Sequence, residues 1–362
     1  MAAPRLLRGH RGSASCCIAS RFSPGIVATA DEDGCVCLYD LRCGDAVLSI
    51  DVGKGRPVSS LCFKPGKEDF VFISTGNEVK CFHMHMAASY KELHSFVFNE
   101  DEINQVVHHP KSSFIAAADD SGGVKIIDVH QKCLNKTLRA GHENICSSVQ
   151  FIPWRPWEAI TGGFDSKLVM WDFSRGRPNK FLNFGIGADS GQVFNPPFLH
   201  ALAVPDLDIA DQVGKVCAVA RGDGVVSIID IEAELAAGKT EPSKIKRNNS
   251  KSTVKTSPPV DRRVTNLDLD YSMGGHTSSV SSVAFSSFGE KGKLVVSGGN
   301  DKSVKVWDWN RAYDSGRSSI ADNILRLDIG LQRKVNWICT TPCDSENLVV
   351  CDTSKTVKVY TV

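Results

Sequence analysis

Histidine, hydroxyl and carboxylate side chains recur together at three places in the chain. In each set an aromatic residue follows the carboxylate by six positions. Such side chains could form a hydrolase triad, in which histidine activates a hydroxyl nucleophile and a carboxylate orients the ring. The three sets are His10, Thr29, Asp33 and Tyr39; His142, Thr161, Asp165 and Trp171; and His276, Ser297, Asp301 and Trp307.

A structural role fits these sets better than catalysis. The set recurs, and each Ser or Thr lies within a strand-like stretch instead of a Gly-x-Ser-x-Gly turn. A histidine in a loop and a tryptophan on a strand can both donate hydrogen bonds, while Asp in a turn accepts. We therefore predict that these residues stabilise repeated units and that the protein is not an enzyme.

The same pattern indicates how many units the chain contains. Each complete set begins at Gly-His and ends at an aromatic residue followed by Asp, which resembles the WD repeat. Several intervals between successive third strands are close to the roughly 40–45 residues of such a repeat. Aligning the ends of the third strands gives seven units, at Tyr39, Phe82, Ile127, Trp171, Ile229, Trp307 and Tyr360.

Seven units of this kind predict an all-β, seven-bladed WD-repeat β-propeller that spans residues 1–362 as one domain. The last unit ends with its third strand at Tyr360, whereas Arg5-Leu6-Leu7 precedes the first Gly-His. Placing the N-terminal segment as the outer strand of the last blade closes the ring. Closure would remove the open sheet edges that favour aggregation.

Charge and hydropathy narrow the possible partners. The net charge is +1, from 42 basic and 41 acidic residues, so no overall field attracts nucleic acid or an anionic membrane. Apolar runs are strand-sized, and the arginine-containing N-terminus lacks the long apolar stretch of a secretory signal. We predict protein partners, no membrane, and a cytoplasmic or nuclear location.

Thirteen cysteines could indicate disulfides or a metal site. They are odd in number and scattered, they lie in strand-like runs such as Cys35-Val36-Cys37, and no CxxC pair is matched to a second pair. Reduced cysteines acting as small core residues are the favoured interpretation. We predict no metal and no cofactor.

Three segments exceed the basic repeat, at residues 185–198, 232–263 and 309–322. The second is poor in apolar residues and is predicted to be disordered. It could serve nuclear import, RNA or DNA contact, phosphorylation near Ser257-Pro258, or only as a solvated linker. Its lack of aromatic residues disfavours base stacking. The basic residues are Lys244, Lys246, Arg247, Lys251, Lys255, Arg262 and Arg263.

Several short segments resemble the WD repeat-containing protein 53 family, and the likeness extends over essentially the whole chain. The Glu-Ile-Asn and Val-Asn-Trp segments are more specific than the general Gly-His and Trp-Asp motifs. The segments are Glu102-Ile103-Asn104, Ala118-Asp119-Asp120-Ser121-Gly122, Asn144-Ile145-Cys146-Ser147-Ser148-Val149, Gly298-Gly299-Asn300-Asp301 and Lys334-Val335-Asn336-Trp337.

This resemblance implies a protein-binding scaffold that acts as a substrate receptor of cullin-4 RING ubiquitin ligases. Such receptors dock on the damaged-DNA-binding protein 1 adaptor through an aromatic-Asp-x-Arg motif, which Tyr39, Asp40 and Arg42 match. In the other complete sets Ser174 and Asn310 replace the arginine. The alternative function is a nuclear scaffold for chromatin or ribonucleoprotein assembly that uses the basic insertion.

Overall fold

The strands follow from alternating apolar and polar residues between short turns, as in Ser303–Trp307. A computed structural model describes residues 3–43, 45–84, 92–185, 195–237, 266–310 and 324–362. Within these residues the strands form seven four-stranded antiparallel sheets. Each sheet is one blade. Strand labels follow the chain, and the first to fourth strands of a blade are counted from the innermost outward.

The first four blades each use consecutive strands. Their bounds are β2 Ala14–Ala19, β3 Ile26–Asp31, β4 Cys35–Asp40 and β5 Ala46–Asp51; β6 Val58–Phe63, β7 Phe70–Thr75, β8 Glu78–His83 and β9 Glu92–Phe96; β10 Ile103–His108, β11 Phe114–Asp119, β12 Val124–Asp128 and β13 Cys133–Leu138; and β14 Cys146–Phe151, β15 Glu158–Gly163, β16 Lys167–Asp172 and β17 Arg177–Asn183.

The last three blades contain the longer connections and the closure. Their bounds are β18 Leu199–Ala203, β19 Val216–Arg221, β20 Val226–Asp230 and β21 Asn266–Leu269; β22 Val280–Phe285, β23 Val295–Gly299, β24 Ser303–Trp307 and β25 Leu325–Gly330; and β26 Val335–Thr340, β27 Leu348–Asp352 and β28 Val357–Tyr360 with β1 Arg5–Leu7 as the fourth strand.

The blades form a closed ring. Each innermost strand packs against the innermost strands of the two neighbouring blades, and β2 of the first blade packs against both β6 and β26. The hydrophobic core lies between adjacent sheets, where side chains such as Trp171 and Trp307 are almost fully buried. The prediction of a seven-bladed propeller is confirmed.

Strand β1 closes the ring as the sequence predicted. It pairs antiparallel with β28, with Arg5 opposite Val359 and Leu7 opposite Val357. Leu7 is fully buried against the first and last blades, whereas Leu6 is 44% exposed. Burial of one leucine and backbone pairing together attach the segment to the seventh blade.

Two complete short helices and a 3-10 turn within the described residues were not predicted. Helix α1 spans Leu207–Val213, helix α2 spans Ile231–Ala237, and the 3-10 turn spans Tyr271–Met273. The predicted disorder of the second insertion is therefore wrong for residues 232–237, which are helical because Ile231 is buried and Ala233 donates its amide to Asp230. The predicted basic residues from Lys244 to Arg263 lie outside the described residues, and no described helix is long and apolar enough to cross a bilayer.

Candidate functional site: the first blade and the Arg42 face

The fourth and sixth blades bring their predicted sets together. In the fourth blade, Trp171 donates its indole N–H to the hydroxyl of Thr161 at 2.9 Å. The Thr161 hydroxyl lies 2.7 Å from Nε2 of His142, whose Nδ1 lies 2.9 Å from Asp165. Because Asp is an acceptor, Nδ1 carries the proton, and Nε2 accepts from the threonine.

The sixth blade repeats this geometry with a serine hydroxyl. Trp307 donates to Ser297 at 2.9 Å, and Ser297 lies 2.8 Å from Nε2 of His276. Nδ1 of His276 lies 3.0 Å from Asp301. Ser297 is fully buried, as is its counterpart Thr161. Both hydroxyls are inaccessible to substrate and committed to partners, so these sets stabilise the blades and are poorly arranged for nucleophilic attack.

The first blade is built differently. Nε2 of His10 lies 2.5 Å from the Thr29 hydroxyl, but its Nδ1 lies 3.2 Å from Asp31. The predicted partner, Asp33, is an exposed residue in the turn. Tyr39 donates its hydroxyl to the carbonyl oxygen of Arg8 at 3.1 Å. The assignment of Asp33 to this set is therefore wrong, and Tyr39 does not bond to Thr29 as tryptophan does elsewhere.

The physical reason lies at the end of the second strand. Asp31 pairs with Ala14, the first residue of the innermost strand. In the fourth blade the residue at the corresponding position is Gly163, which pairs with Cys146. A Cβ at Gly163 would lie 2.6 Å from Nδ1 of His142 and 2.9 Å from Asp165, so glycine leaves room for that pair. In the first blade the Asp31 carboxylate occupies this space itself.

Two further blades use the same register for a buried carboxylate. Asp119 and Asp352 end the second strands of the third and seventh blades, and both are fully buried. Asn99 donates to Asp119 at 2.9 Å, while Lys358 and Ser354 bond to Asp352. Blades without the predicted sets thus have polar networks of their own. An Asp that ends the second strand, directly before the turn, in the first, third and seventh blades is the sequence signal that was missed.

Two thiols lie beside His10 in the first blade. The sulfurs of Cys35 and Cys37 are 3.8 Å apart, and both residues are buried. Hydrogen bonds from Cys37 and then His10 lower the pKa of Cys35 to about 5. One ring nitrogen of His10 and the two sulfurs all lie within 4.8 Å of one another. Among the described residues this is the group that could hold a metal.

The remaining cysteines act mainly as core residues. All thirteen lie in the described part of the chain as free thiols, and nine are buried. Burial raises the pKa of Cys62, Cys146 and Cys217, as expected of thiols that serve packing.

Arg42 lies in the turn between β4 and β5, as predicted. Its side chain is 82% exposed and donates from Nε to Asp40 at 2.9 Å and from Nη2 at 2.6 Å. These bonds lower the pKa of Asp40 to about 2. This turn connects the third strand of the first blade to the fourth. Within a blade, the connection between the third and fourth strands lies on the same side of the ring as the connection between the first and second strands. This side is called the Arg42 face.

A charged pair spans the opening of the ring on the Arg42 face. Arg21 follows the innermost strand of the first blade and lies 2.5 Å from Asp206, which precedes α1 in the fifth blade. Glu68 of the second blade accepts from the backbone amide of Arg21 at 2.9 Å. Since the first and fifth blades are not neighbours, this pair links opposite sides of the central channel.

Helix α2 attaches the start of the second insertion to the same face. Glu232 accepts from the Trp154 indole at 3.0 Å and from Nε of Arg155 at 2.8 Å. Both donors lie in the connection between the first two strands of the fourth blade. The described start of the insertion, residues 232–237, is therefore held on the Arg42 face.

Family models match three parts of the chain. The model described as "WD domain, G-beta repeat" matches residues 132–172 and 268–308, which contain the complete sets of the fourth and sixth blades. The model described as "Nucleolar protein 10-like, N-terminal domain" matches residues 10–139, the first three blades.

Two proteins of Dictyostelium discoideum are similar in sequence. A WD repeat-containing protein 53 homolog is 26% identical over 385 aligned residues, covering 98% of this chain and 93% of that protein. A WD repeat domain-containing protein 83 homolog is 28% identical over 148 residues, covering 41% and 44% of the two chains. With seven blades and two matched repeats, the chain is a WD-repeat β-propeller, and it is similar over nearly its full length to the WD repeat-containing protein 53 homolog.

Proposed function

We propose that this protein is a non-enzymatic scaffold whose Arg42 face docks the damaged-DNA-binding protein 1 adaptor of cullin-4 RING ubiquitin ligases. The observation that supports this most directly is the exposed guanidinium of Arg42, which lies on a turn that several hydrogen bonds hold in place. Arginine can donate several directional hydrogen bonds and is enriched among residues that dominate interface energies. The substrate of the ligase would bind elsewhere on the propeller.

The turn is ordered before any partner arrives. The backbone amide of Arg42 donates to Asp40 at 3.0 Å, in addition to the side-chain bonds. Arg5 donates to the carbonyl oxygens of Leu41 and Cys43, on either side of Arg42. A preformed turn lowers the entropic cost of binding. Nη1 of Arg42 is not among the atoms that bond to Asp40 and can donate to a partner.

A matched control exists in the fourth blade. Arg175 is 79% exposed and its Nε lies 3.4 Å from Asp172, the residue that corresponds to Asp40. Arg175 follows its Asp by three residues, whereas Arg42 follows Asp40 by two, so the two guanidinium groups project from different positions of the turn. Charge and exposure are thus matched while the motif spacing differs.

Affinity purification with quantitative mass spectrometry, followed by titration against the purified adaptor, tests this docking role. Arg42→Ala should weaken adaptor binding about 30-fold, the effect of losing roughly 2 kcal/mol at an interface hot spot. Arg175→Ala should bind as the wild type does. Equal capture of the adaptor by wild type and Arg42→Ala would remove Arg42 from this role, and absence of the adaptor from all samples would remove the ligase function.

A nuclear scaffold is the second candidate. It is supported by the match of residues 10–139 to the Nucleolar protein 10-like domain and by the basic residues between positions 244 and 263. Basic clusters of this kind can act as nuclear-import signals. Deleting residues 243–263 should then abolish nuclear accumulation in cells, whereas unchanged nuclear fluorescence of the deletion variant would show that the insertion is not the signal.

A further inference from the structure

We propose that, contrary to the expectation of no metal drawn from cysteine spacing, His10, Cys35 and Cys37 form a Zn²⁺ site in the first blade. The three side chains come from the loop before the blade and from its third strand, so a bound ion would join them. This site is independent of the proposed docking function, because it needs neither Arg42 nor a partner.

The two sulfur atoms are already at the separation that zinc requires. Two Zn–S bonds of about 2.3 Å at a tetrahedral angle place the sulfurs about 3.8 Å apart. The sulfurs of Cys35 and Cys37 are 3.8 Å apart. Because the cysteines are two residues apart on β4, their side chains lie on the same face of the sheet. Binding therefore needs little movement of the strand.

Nδ1 of His10 lies 3.2 Å from Asp31, and zinc bound at this nitrogen would displace that contact. The sixth blade shows that the corresponding ring nitrogen can also reach the start of the third strand. In the sixth blade Ser303 begins the third strand, as Cys35 does in the first, and its hydroxyl lies 3.2 Å from Nδ1 of His276. Nε2 of His10 is held by Thr29 at 2.5 Å. With zinc on Nδ1, the Nε2 proton would be donated to Thr29, an arrangement that fixes ring orientation at metal sites.

Charge and access also suit zinc. Zinc binds both cysteines as thiolates, with any remaining thiol proton released to solvent, and the two thiolates neutralise the ion, so burial leaves no net charge on the zinc and sulfurs together. Ser49 is an exposed residue whose hydroxyl lies 3.2 Å from the Cys35 sulfur. The ion can enter along this side, and water can take the fourth position.

The ligand pair distinguishes the first blade from those with complete sets. In the fourth blade, the positions of Cys35 and Cys37 hold Lys167 and Val169, and in the sixth they hold Ser303 and Lys305. These residues provide no sulfur ligand. Where the fourth and sixth blades have a tryptophan-based hydrogen-bond network, the first blade has two sulfur atoms, which are soft metal ligands.

Titration of the full chain with Zn²⁺ and Co²⁺ tests the site, after metal is removed under reducing conditions. One equivalent of Co²⁺ should give the visible bands of a tetrahedral ion and a sulfur-to-cobalt charge-transfer band. Cys35→Ser and Cys37→Ser should each weaken Zn²⁺ binding at least 100-fold. The controls are Cys217→Ser, a buried thiol in the fifth blade, and Cys133→Ser, an exposed thiol.

X-ray absorption of the zinc-loaded wild type keeps the test decisive if a variant fails to fold. The expected first shell has two sulfurs and two nitrogen or oxygen ligands. Cys17 and Cys351 belong to the same core cluster as Cys35 and Cys37, and Cys339 packs against it. These three are the thiols most able to replace Cys35 and Cys37 as ligands if the assignment is wrong. A shell with three or more sulfurs, loss of binding in Cys351→Ser, or no stoichiometric binding by the wild type would each overturn the proposal.

Discussion

The guanidinium of Arg5 donates a hydrogen bond to the carbonyl oxygen of Leu41, and a second one to that of Cys43. It also pairs with Glu346 of the seventh blade at 2.7 Å. Arg5 belongs to the strand that closes the ring, and the two carbonyls flank Arg42. Closure of the propeller and the shape of the proposed docking turn are therefore coupled through one side chain.

Arg5→Ala should loosen this turn without removing Arg42. Losing charge-assisted hydrogen bonds to two carbonyls is expected to reduce the free energy of unfolding by about 1–2 kcal/mol. Hydrogen exchange of the amides at residues 41–43 should accelerate, and adaptor binding should weaken. Arg8→Ala, which removes a neighbouring exposed arginine, is the control; matching exchange rates in the two variants would contradict the coupling.

Two adjacent leucines test how the ring is closed. Leu7 is fully buried and Leu6 is 44% exposed. Leu7→Ala should therefore cost about 3 kcal/mol in urea unfolding, because it leaves a cavity between the first and seventh blades, whereas Leu6→Ala should cost about 0.5 kcal/mol or less. Similar losses in both variants would argue against burial of β1 as the closing contact.

Gly163→Ala should destabilise the fourth blade. Its new Cβ would meet Nδ1 of His142 at 2.6 Å and the carbonyl oxygen of Ile145 at 2.9 Å. Relieving this overlap is expected to cost about 1–3 kcal/mol by thermal or urea unfolding. Gly330→Ala is the matched control, since a Cβ there has nothing within 4 Å. A neutral Gly163→Ala would show that the His142 set can shift freely.

The sixth blade should contribute a pH-dependent part of the stability. Burial alone would raise the pKa of Asp301, but hydrogen bonds from His276, Thr277 and Ser303 lower it from 3.8 to about 2. A lowered folded-state pKa stabilises the protein above the unfolded pKa, and this contribution disappears as pH falls from about 4 to about 2. Its size is about 2 kcal/mol.

Urea unfolding of wild type and Asp301→Asn across this range measures the contribution. The difference in free energy of unfolding should be near its maximum at about pH 6 and shrink as the pH approaches 2. Asp101→Asn, a change at an exposed turn residue, serves as control. A difference between wild type and Asp301→Asn that is independent of pH would contradict the assigned shift.

The sequence predicted much of the architecture because strand rhythm and turn residues recur in every blade. It identified Arg5-Leu6-Leu7 as the closing strand, which β1 confirms. It could not identify Asp31, because the spacing to the aromatic residue favours Asp33 and only the strand register shows which carboxylate faces His10. Spacing along the chain alone does not determine side-chain direction at a strand end.

Features that join distant segments were missed for a related reason. Helices α1 and α2 have seven residues each, too few for a clear helical period in the sequence. The Arg21–Asp206 pair depends on how the three intervening blades position the first and fifth blades across the channel. Such contacts are set by the diameter of the ring, which no local pattern encodes.

Pairing of β1 with β28 also imposes an order of events during synthesis. Residues 5–7 leave the ribosome early but have no partner strand until residues 357–360 have been translated. Through that interval the growing chain presents Leu7 and the open edges of its blades, which favour unwanted pairing. A chain whose synthesis stops before residue 357 cannot close the propeller, so exposure of residues 5–7 distinguishes incomplete chains from complete ones.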